Sequence, residues 1–408
     1  MTEGPGNGAT PRPAPGRGSA GRGTPAFRAA GSPVLGVVLL VFLVAGGALL
    51  VRQEFDIDEF QYAHASWLVA TGSVPYRDFA EHHLPLFYQA GAQVFLALGD
   101  DPAGILALRL WLLPWIVGAL LFASRLAGGP RRARLLAPVL LLACPGWLVF
   151  ATQVRPELFM TTLCLGAFSV LVRRDGRSPR GDFAAGAALA LAVWSSQKAV
   201  LFLAPAAPLL LAWLVRPPTD GRGIRHRGAF VTGGASVLGL VLAYVVSTSS
   251  ARPLVYWTFS FVRLHEKLYA GDQLLDSFRW VLAQSGWILG LALLGAAFSF
   301  RRSVRARRLR FRRELPVLAL AAGGWVCHAA QASHFVYNLL PFLTVVGIYA
   351  GRGASGGWIL LGRARRRLLR PAAALLGLVF LATAAADLWA RLHPGTPRSW
   401  SRSVSSGG

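Results

Sequence analysis

Runs of about 15–25 apolar residues recur along the sequence, and arginine-rich connectors divide them. A chain patterned in this way can satisfy its backbone within helices while its side chains meet lipid, so the pattern predicts an all-α polytopic membrane protein. With 54% hydrophobic and only 15% charged residues, an ordinary soluble domain is excluded. The formal charge of +24 would suit a nucleic-acid binder. The arginines gather between apolar runs, however, and not along one amphipathic face, so no nucleic-acid partner is expected. Cys144, Cys164 and Cys327 each sit within an apolar run, which points to small buried residues and away from disulfides or metal ligands.

Spans are predicted at 33–51, 103–127, 135–152, 158–172, 183–195, 199–215, 229–248, 280–299, 316–332, 335–350 and 371–390, about eleven in all. Residues 1–32 are rich in Gly, Pro, Ala and Arg and have almost nothing to bury, so they read as a disordered cytoplasmic tail. Residues 392–408 read as a second flexible tail, leaving 33–391 as one multi-span domain. The run 33–51 is too long for a signal-peptide core and no small-residue cleavage site follows it, so it is expected to be retained.

Leu84 to Leu98 is apolar but short, and it carries Tyr88, Gln89 and Gln93. Charge decides whether it crosses. If it lies along the interface, thirty of the 42 basic residues and five of the 18 acidic ones fall on one side of the membrane. The other side then holds twelve basic and thirteen acidic residues. If the segment crosses, the excess of arginine moves to the wrong face at five connectors. The interfacial reading puts the N-terminus in the cytoplasm and makes 52–102 the first extracytoplasmic loop, with interfacial helices.

Residues 54–88 of that loop hold six of the eighteen carboxylates and three of the eight histidines. Ionisable groups beside a bilayer are costly to place without a purpose. Asp58 and Glu59 open an amphipathic helix over 58–71, where two readings stand side by side. One is helix capping, by Asp58 with Gln61 or Asp56 with Glu59. The other is a carboxylate held at the membrane surface to accept a proton. Arg77, Asp78, Glu81, His82 and His83 follow ahead of Pro85. The two histidines could meet a divalent metal, but neighbours on a helix point about 100° apart, which argues against both binding one ion. Loop histidines bonded to carbonyls are an equal reading.

Further polar residues fall on the same predicted face. Arg155-Pro156-Glu157 opens a span, where Pro at the first turn and an acid near the helix N-terminus are structurally natural. Each charge must nevertheless be satisfied, and a phosphate or an acceptor would do so. Lys198 lies between two apolar runs, either snorkelling or pairing with a lipid-linked phosphate. His265, Glu266 and Lys267 occupy the second large outer loop, and His334, Tyr337 and Asn338 begin a span. No Walker loop, dinucleotide fingerprint, zinc-ligand spacing or GxSxG elbow stands in a sensible context.

Asp58-Glu59, then VPYRDF at 74–79, EHH at 81–83 and PLFY at 85–88, then Arg155-Pro156-Glu157, Gln197-Lys198 and the span start ending in Leu340-Pro341 form a recognisable set. The set resembles the membrane glycosyltransferases of the C-type fold, in particular the family 39-like branch. That branch groups protein O-mannosyltransferases, lipid A aminoarabinose transferases and bacterial relatives. The resemblance is most specific over 54–88 and diffuse to about residue 350. It implies a sugar donor on a polyprenyl phosphate, an extracytoplasmic acceptor (lipid, glycan or protein), and a bacterial inner-membrane location. It also implies an Asp in the first outer loop as general base, which Asp58 matches. Glu157 stands where many members carry a second acidic residue, usually Asp.

On this reading Asp58, Glu59 and Glu157 are the catalytic candidates, and Arg155, Lys198 and Lys267 the donor-phosphate candidates. Arg77, Glu81, His82, His83, His334 and Tyr337 are candidates for the substrate cavity. No particular cofactor is predicted, and a divalent cation is left open. One displacement without a covalent intermediate would invert the anomeric centre. A transporter or flippase would place ionisable groups near mid-membrane, often with internal repeats, and neither feature is present. A non-catalytic relative is the third reading.

Overall fold

The computed structural model describes residues 31–172, 178–216, 221–266, 273–305, 311–331 and 334–363. The expected tail up to residue 30, the C-terminal tail, the expected span 371–390 and Lys267 lie outside the described residues. Every regular element among the described residues is helical, apart from a single bridge between Pro75 and Phe79. In order these are α1 (Gly31–Arg52), α2 (Ile57–Ala70), α3 (Leu86–Leu98), α4 (Gly104–Trp111), α5 (Leu113–Ala127) and α6 (Arg131–Leu142). They continue with α7 (Pro145–Ala151), α8 (Pro156–Leu171), α9 (Pro179–Ser195), α10 (Lys198–Leu203), α11 (Ala207–Val215) and α12 (Gly221–Ser247). The last are α13 (Ala251–Val255), α14 (Val262–Glu266), α15 (Gln273–Arg305), α16 (Phe311–Ala329) and α17 (Leu340–Arg363), the last preceded by a 3-10 turn, Val336–Leu339.

Four helical stretches among the described residues are long and apolar enough to cross a membrane: Gly104–Ala127, Lys198–Val215, Gly223–Ser247 and Leu274–Ser303. Several other expected spans are shorter apolar helices, including Pro156–Leu171 and Glu314–Ala329. The span expected at 135–152 is not one helix. It breaks into α6 and α7 with a 73° bend. Pro145 explains the break, because it lacks a backbone donor and pushes the preceding residue out of the helical region. Cys144 is accordingly extended, at φ −92° and ψ 104°. Leu86–Leu98, in contrast, has only 13 residues, or about 20 Å of helix, which is short of the roughly 30 Å hydrocarbon core.

Small residues bring the long helices together. A Cβ on Gly186 of α9 would strike the Phe230 carbonyl of α12, and one on Gly353 of α17 would strike the Leu291 carbonyl of α15. Backbone-to-backbone crossings of this kind are how helices associate in lipid, where apolar burial gives no drive. The core between them runs through Trp147, Phe168, Phe202 and Leu343, all buried. It holds the N-terminal ends of α8 and α10 and the turn before α17 in one place. That place is the site.

Candidate active site

The start of α2 shows how the two readings of its acidic residues resolve. Asp56 is the N-cap, its Oδ1 accepting the Asp58 N–H at 2.9 Å, and Glu59 Oε1 accepts the Asp56 N–H at 3.0 Å. This is the reciprocal capping box. Glu59 is also clamped from elsewhere. Arg109 of α4 donates Nη2 to Oε1 at 2.6 Å and Nε to Oε2 at 2.9 Å, and the Val154 N–H reaches Oε2 at 2.8 Å. Both side chains of the pair are fully buried. Arg109 further donates to the carbonyls of Leu50, Gln53 and Glu54, tying the end of α1 to α2. Glu59 therefore has partners on both oxygens and faces away from Asp58.

Asp58 is left free of the cap, and its Oδ2 accepts from Arg155 Nη1 at 2.7 Å. Arg155 Nη2 donates to Asp56 Oδ1 and its Nε to Gln153, both at 2.9 Å. Arg155 reaches this position because Pro156 sits at the first turn of α8 and holds Arg155 extended, at φ −143° and ψ 145°. The guanidinium is buried, whereas the Asp58 side chain remains 31% exposed. Among the described residues no hydrogen bond reaches Asp58 Oδ1. One carboxylate oxygen is therefore open to a ligand.

Tyr337 joins this group to Lys198. The Arg155 guanidinium lies 3.8 Å from the Tyr337 ring centroid and Lys198 Nζ lies 5.0 Å from it. Lys198 is 8% exposed, so it does not snorkel. It donates to Glu157 Oε1 at 2.5 Å and to Asn338 Oδ1 at 2.7 Å. Counting donors shows what is left over. An ammonium has three and a guanidinium five. One donor on Lys198 and two on Arg155 remain beside the same ring. Among the described residues, Glu157 Oε2 and Asn338 Nδ2 are buried without a partner. Leaving such groups unmade is costly, and a substrate's hydroxyls or phosphate oxygens would satisfy them.

A second cluster abuts the first. Glu81 Oε1 lies 3.0 Å from His83 Nδ1 and 3.5 Å from His82 Nδ1. Gln61 of α2 donates to the same carboxylate, and the Gln197 side chain donates to the His82 carbonyl at 3.0 Å. Burial raises the Glu81 pKa, but the hydrogen bond and charge of His83, then the charge and N–H of His82, outweigh it and hold the carboxyl below its ordinary value. The expectation that the two histidines point apart requires correction, because 81–83 is not helical. The two ring centroids are 3.9 Å apart, and one ligand atom from each of the three residues fits within 4.8 Å. Two imidazoles and a carboxylate form a donor set suited to a divalent cation.

Other candidates lie apart from Asp58. Arg77 is exposed and pairs with its neighbour Asp78, whose carboxyl is held at about 2 first by that hydrogen bond and then by the Val74 N–H. His334 stands beside His328, ring centroids 5.6 Å apart, and its carbonyl accepts from Ser277. Arg109, Gln153 and Tyr62 belong to no motif, yet each braces the site. Tyr62 of α2 is buried, with its hydroxyl 3.4 Å from His83 Nε2. Of these, Arg109 carried a sequence signal, since an arginine within the apolar run GILALRLW must find a partner.

The sequence matches no protein-family model and no curated protein. Solved structures do match. ArnT from Cupriavidus metallidurans bound to undecaprenyl phosphate is 19% identical with a TM-score of 0.59, over 82% of this chain and 63% of that one. The fold is that of the C-type membrane glycosyltransferases. The archaeal oligosaccharyltransferase AglB from Archaeoglobus fulgidus, in complex with an inhibitory peptide and a dolichol-phosphate, is 14% identical with a TM-score of 0.55. It aligns over 90% of this chain and 56% of its own. The Archaeoglobus fulgidus enzyme in complex with Zn and sulfate has a TM-score of 0.54 at 14% identity, over 91% of this chain and 56% of its own. This chain thus spans less than two thirds of the length of each.

Proposed function

We propose that the chain is an integral-membrane glycosyltransferase that moves a sugar from a polyprenyl-phosphate donor to an extracytoplasmic acceptor. The observation that carries this reading is the line Asp58–Arg155–Tyr337–Lys198–Glu157, with one open carboxylate oxygen at one end and three unused cationic donors along it. Asp58 Oδ1 takes the proton from the acceptor hydroxyl or amine as that group attacks the anomeric carbon. The bond from that carbon to the phosphate oxygen breaks, and the phosphate leaves with the electron pair. Charge then grows on the leaving phosphate, where the remaining Arg155 and Lys198 donors stabilise it. A single displacement inverts the anomeric centre. Glu157 Oε2 and Asn338 Nδ2 are placed to bind sugar hydroxyls. Glu59 serves as a positioning residue through Arg109, and Glu81, His82 and His83 would hold a divalent cation where one is used.

Fold neighbours bound to undecaprenyl phosphate and in complex with a dolichol-phosphate support a lipid-phosphate donor. The charge division of the connectors supports a cytoplasmic N-terminus with the site on the outer face. The assignment to a bacterial inner membrane rests on the family resemblance alone. The short α3 supports its lying along that face. The test is a membrane assay with polyprenyl-phosphate sugars, scored by acceptor-dependent release of polyprenyl phosphate. Movement of the lipid-linked sugar between leaflets without release would favour a flippase and defeat the proposal.

A further inference from the structure

The polar groups of the candidate site lie at one end of the bundle, and a second basic feature lies at the other. α8 starts beside Arg155 and runs 16 residues, about 24 Å, to Leu171, so that Ser169 and Val172 stand at its far end. α17 starts beside Asn338 and runs about 22 Å to Ser355. At these far ends is a cavity of about 580 Å³, walled by the α5–α6 connection, α8, α15, α16 and α17. A smaller hollow of about 320 Å³, lined in part by Ala296, Phe300 and Leu318, shares Ser299, Ser303 and Glu314 with it.

The charges there are not balanced. Arg352 is committed to the structure, donating to the Leu126 and Ala127 carbonyls, to Ser299 and to Glu314. Its charge and that of Glu314 cancel. Arg125 and Arg302 also line the cavity, are exposed, and have no ion pair among the described residues. Arg125 lies at the end of α5, just before the α5–α6 connection, and Arg302 reaches that connection, since a Cβ on Gly129 would come 3.9 Å from its Nη1. The described lining therefore carries two more positive charges than negative ones. Ser355, 2% exposed, lines the same cavity, and its Oγ is buried with no partner among the described residues. Arg125 rests over the Phe122 ring at 5.6 Å, which leaves its donors available. A buried hydroxyl and two guanidiniums without ion pairs in one lining suit an acceptor-rich anion.

We propose that this cavity binds a phosphate-bearing ligand on the membrane face opposite the Asp58 site. A basic pocket between helices at the membrane surface is the form in which anionic headgroups are recognised. Trp358, on the same turn of α17, is 41% exposed with the Arg132 guanidinium 5.8 Å from its ring, the pairing that marks headgroup depth. The cavity has room for more than one phosphate, and the largely apolar hollow beside it has room for hydrocarbon. The proposal does not depend on sugar transfer.

The test is native mass spectrometry of the delipidated full chain in detergent, titrated with phosphatidylglycerol, phosphatidylcholine or inorganic phosphate. Phosphatidylglycerol is expected to occupy one site in preference to phosphatidylcholine. The Arg125→Gln/Arg302→Gln double variant, which removes two exposed side chains without ion pairs among the described residues, is expected to bind it roughly tenfold more weakly or worse. Ser355→Ala is expected to weaken it further without changing the melting temperature. Displacement of the lipid by inorganic phosphate would show that the phosphate group alone suffices, and retention would assign the site to the whole headgroup. Equal binding of the two lipids, or unchanged phosphatidylglycerol binding by the double variant, would overturn the proposal.

Discussion

Replacing Arg109 with Met removes the guanidinium that links α1, α2 and α4 while keeping an apolar stem of similar length. Five hydrogen bonds disappear: two to Glu59 and one each to the carbonyls of Leu50, Gln53 and Glu54. Glu59 keeps only the Asp56 and Val154 N–H groups, and its charge is then buried without a counter-ion. Breaking a buried pair by removing one partner costs about 3–5 kcal/mol, most of it the penalty of the charge left behind. Arg109→Met should therefore unfold at a markedly lower denaturant fraction in SDS–detergent mixed micelles. Adding Glu59→Gln removes the stranded charge while an amide oxygen can still cap α2. The double variant should then recover at least about 2 kcal/mol relative to the sum of the single changes. If Arg109→Met unfolds within about 1 kcal/mol of wild type, or the two changes simply add, the pair does not hold the loop as argued.

Lys198→Met should reduce donor use by about tenfold to a hundredfold in kcat/KM, the range for a charge-assisted hydrogen bond of about 1.5–3 kcal/mol. Lys198→Met/Glu157→Gln should fold normally and remain at least as impaired as Lys198→Met, and recovery of activity in that pair would argue for a structural role alone. Glu81 is depressed in the folded state, so it stabilises the loop fully above the ordinary carboxylate value of 4.5 and less as pH falls toward its folded value. Glu81→Gln should thus lower the melting temperature near neutral pH, with the gap to wild type closing in acid; a gap that widens in acid would contradict the sign. In a cysteine-free background, Asp100→Cys should be labelled only from the outer face, whereas labelling only from the cytoplasm would mean that 84–98 crosses.

How far the sequence spoke differs from place to place. The apolar runs and arginine connectors made the helical bundle legible, because each run must bury its own backbone in lipid. They did not mark where helices end. α12 begins at Gly221 and takes in Arg225, His226 and Arg227, where hydropathy has already fallen but nothing stops the helix. The bend at Cys144 was readable from Pro145 but was outweighed by the continuous apolar run. Within the site, Asp58, Arg155, Lys198 and Tyr337 could be listed as polar residues of one membrane face, and they do lie together. The division of labour between Asp58 and Glu59 could not be read. It depends on Arg109, fifty residues further on, reaching Glu59 and leaving Asp58 to Arg155. The helix assumed at His82-His83 also concealed their approach, since the stretch before Pro85 is extended or bent.

The role of Asp58 is tested most directly by Asp58→Asn. The α2 cap belongs to Asp56, so the change leaves the helix start intact, and an amide oxygen can still accept from Arg155 Nη1. Asn cannot take up a proton at neutral pH. Asp56→Asn is the control, because Asn caps about as well as Asp and that carboxylate has no proton to accept in the mechanism. The account predicts that purified Asp58→Asn protein expresses and melts like wild type, while acceptor-dependent release of polyprenyl phosphate falls by about 10²–10⁴-fold. Wild-type turnover by Asp58→Asn would leave the fold standing and show that Asp58 is not the base.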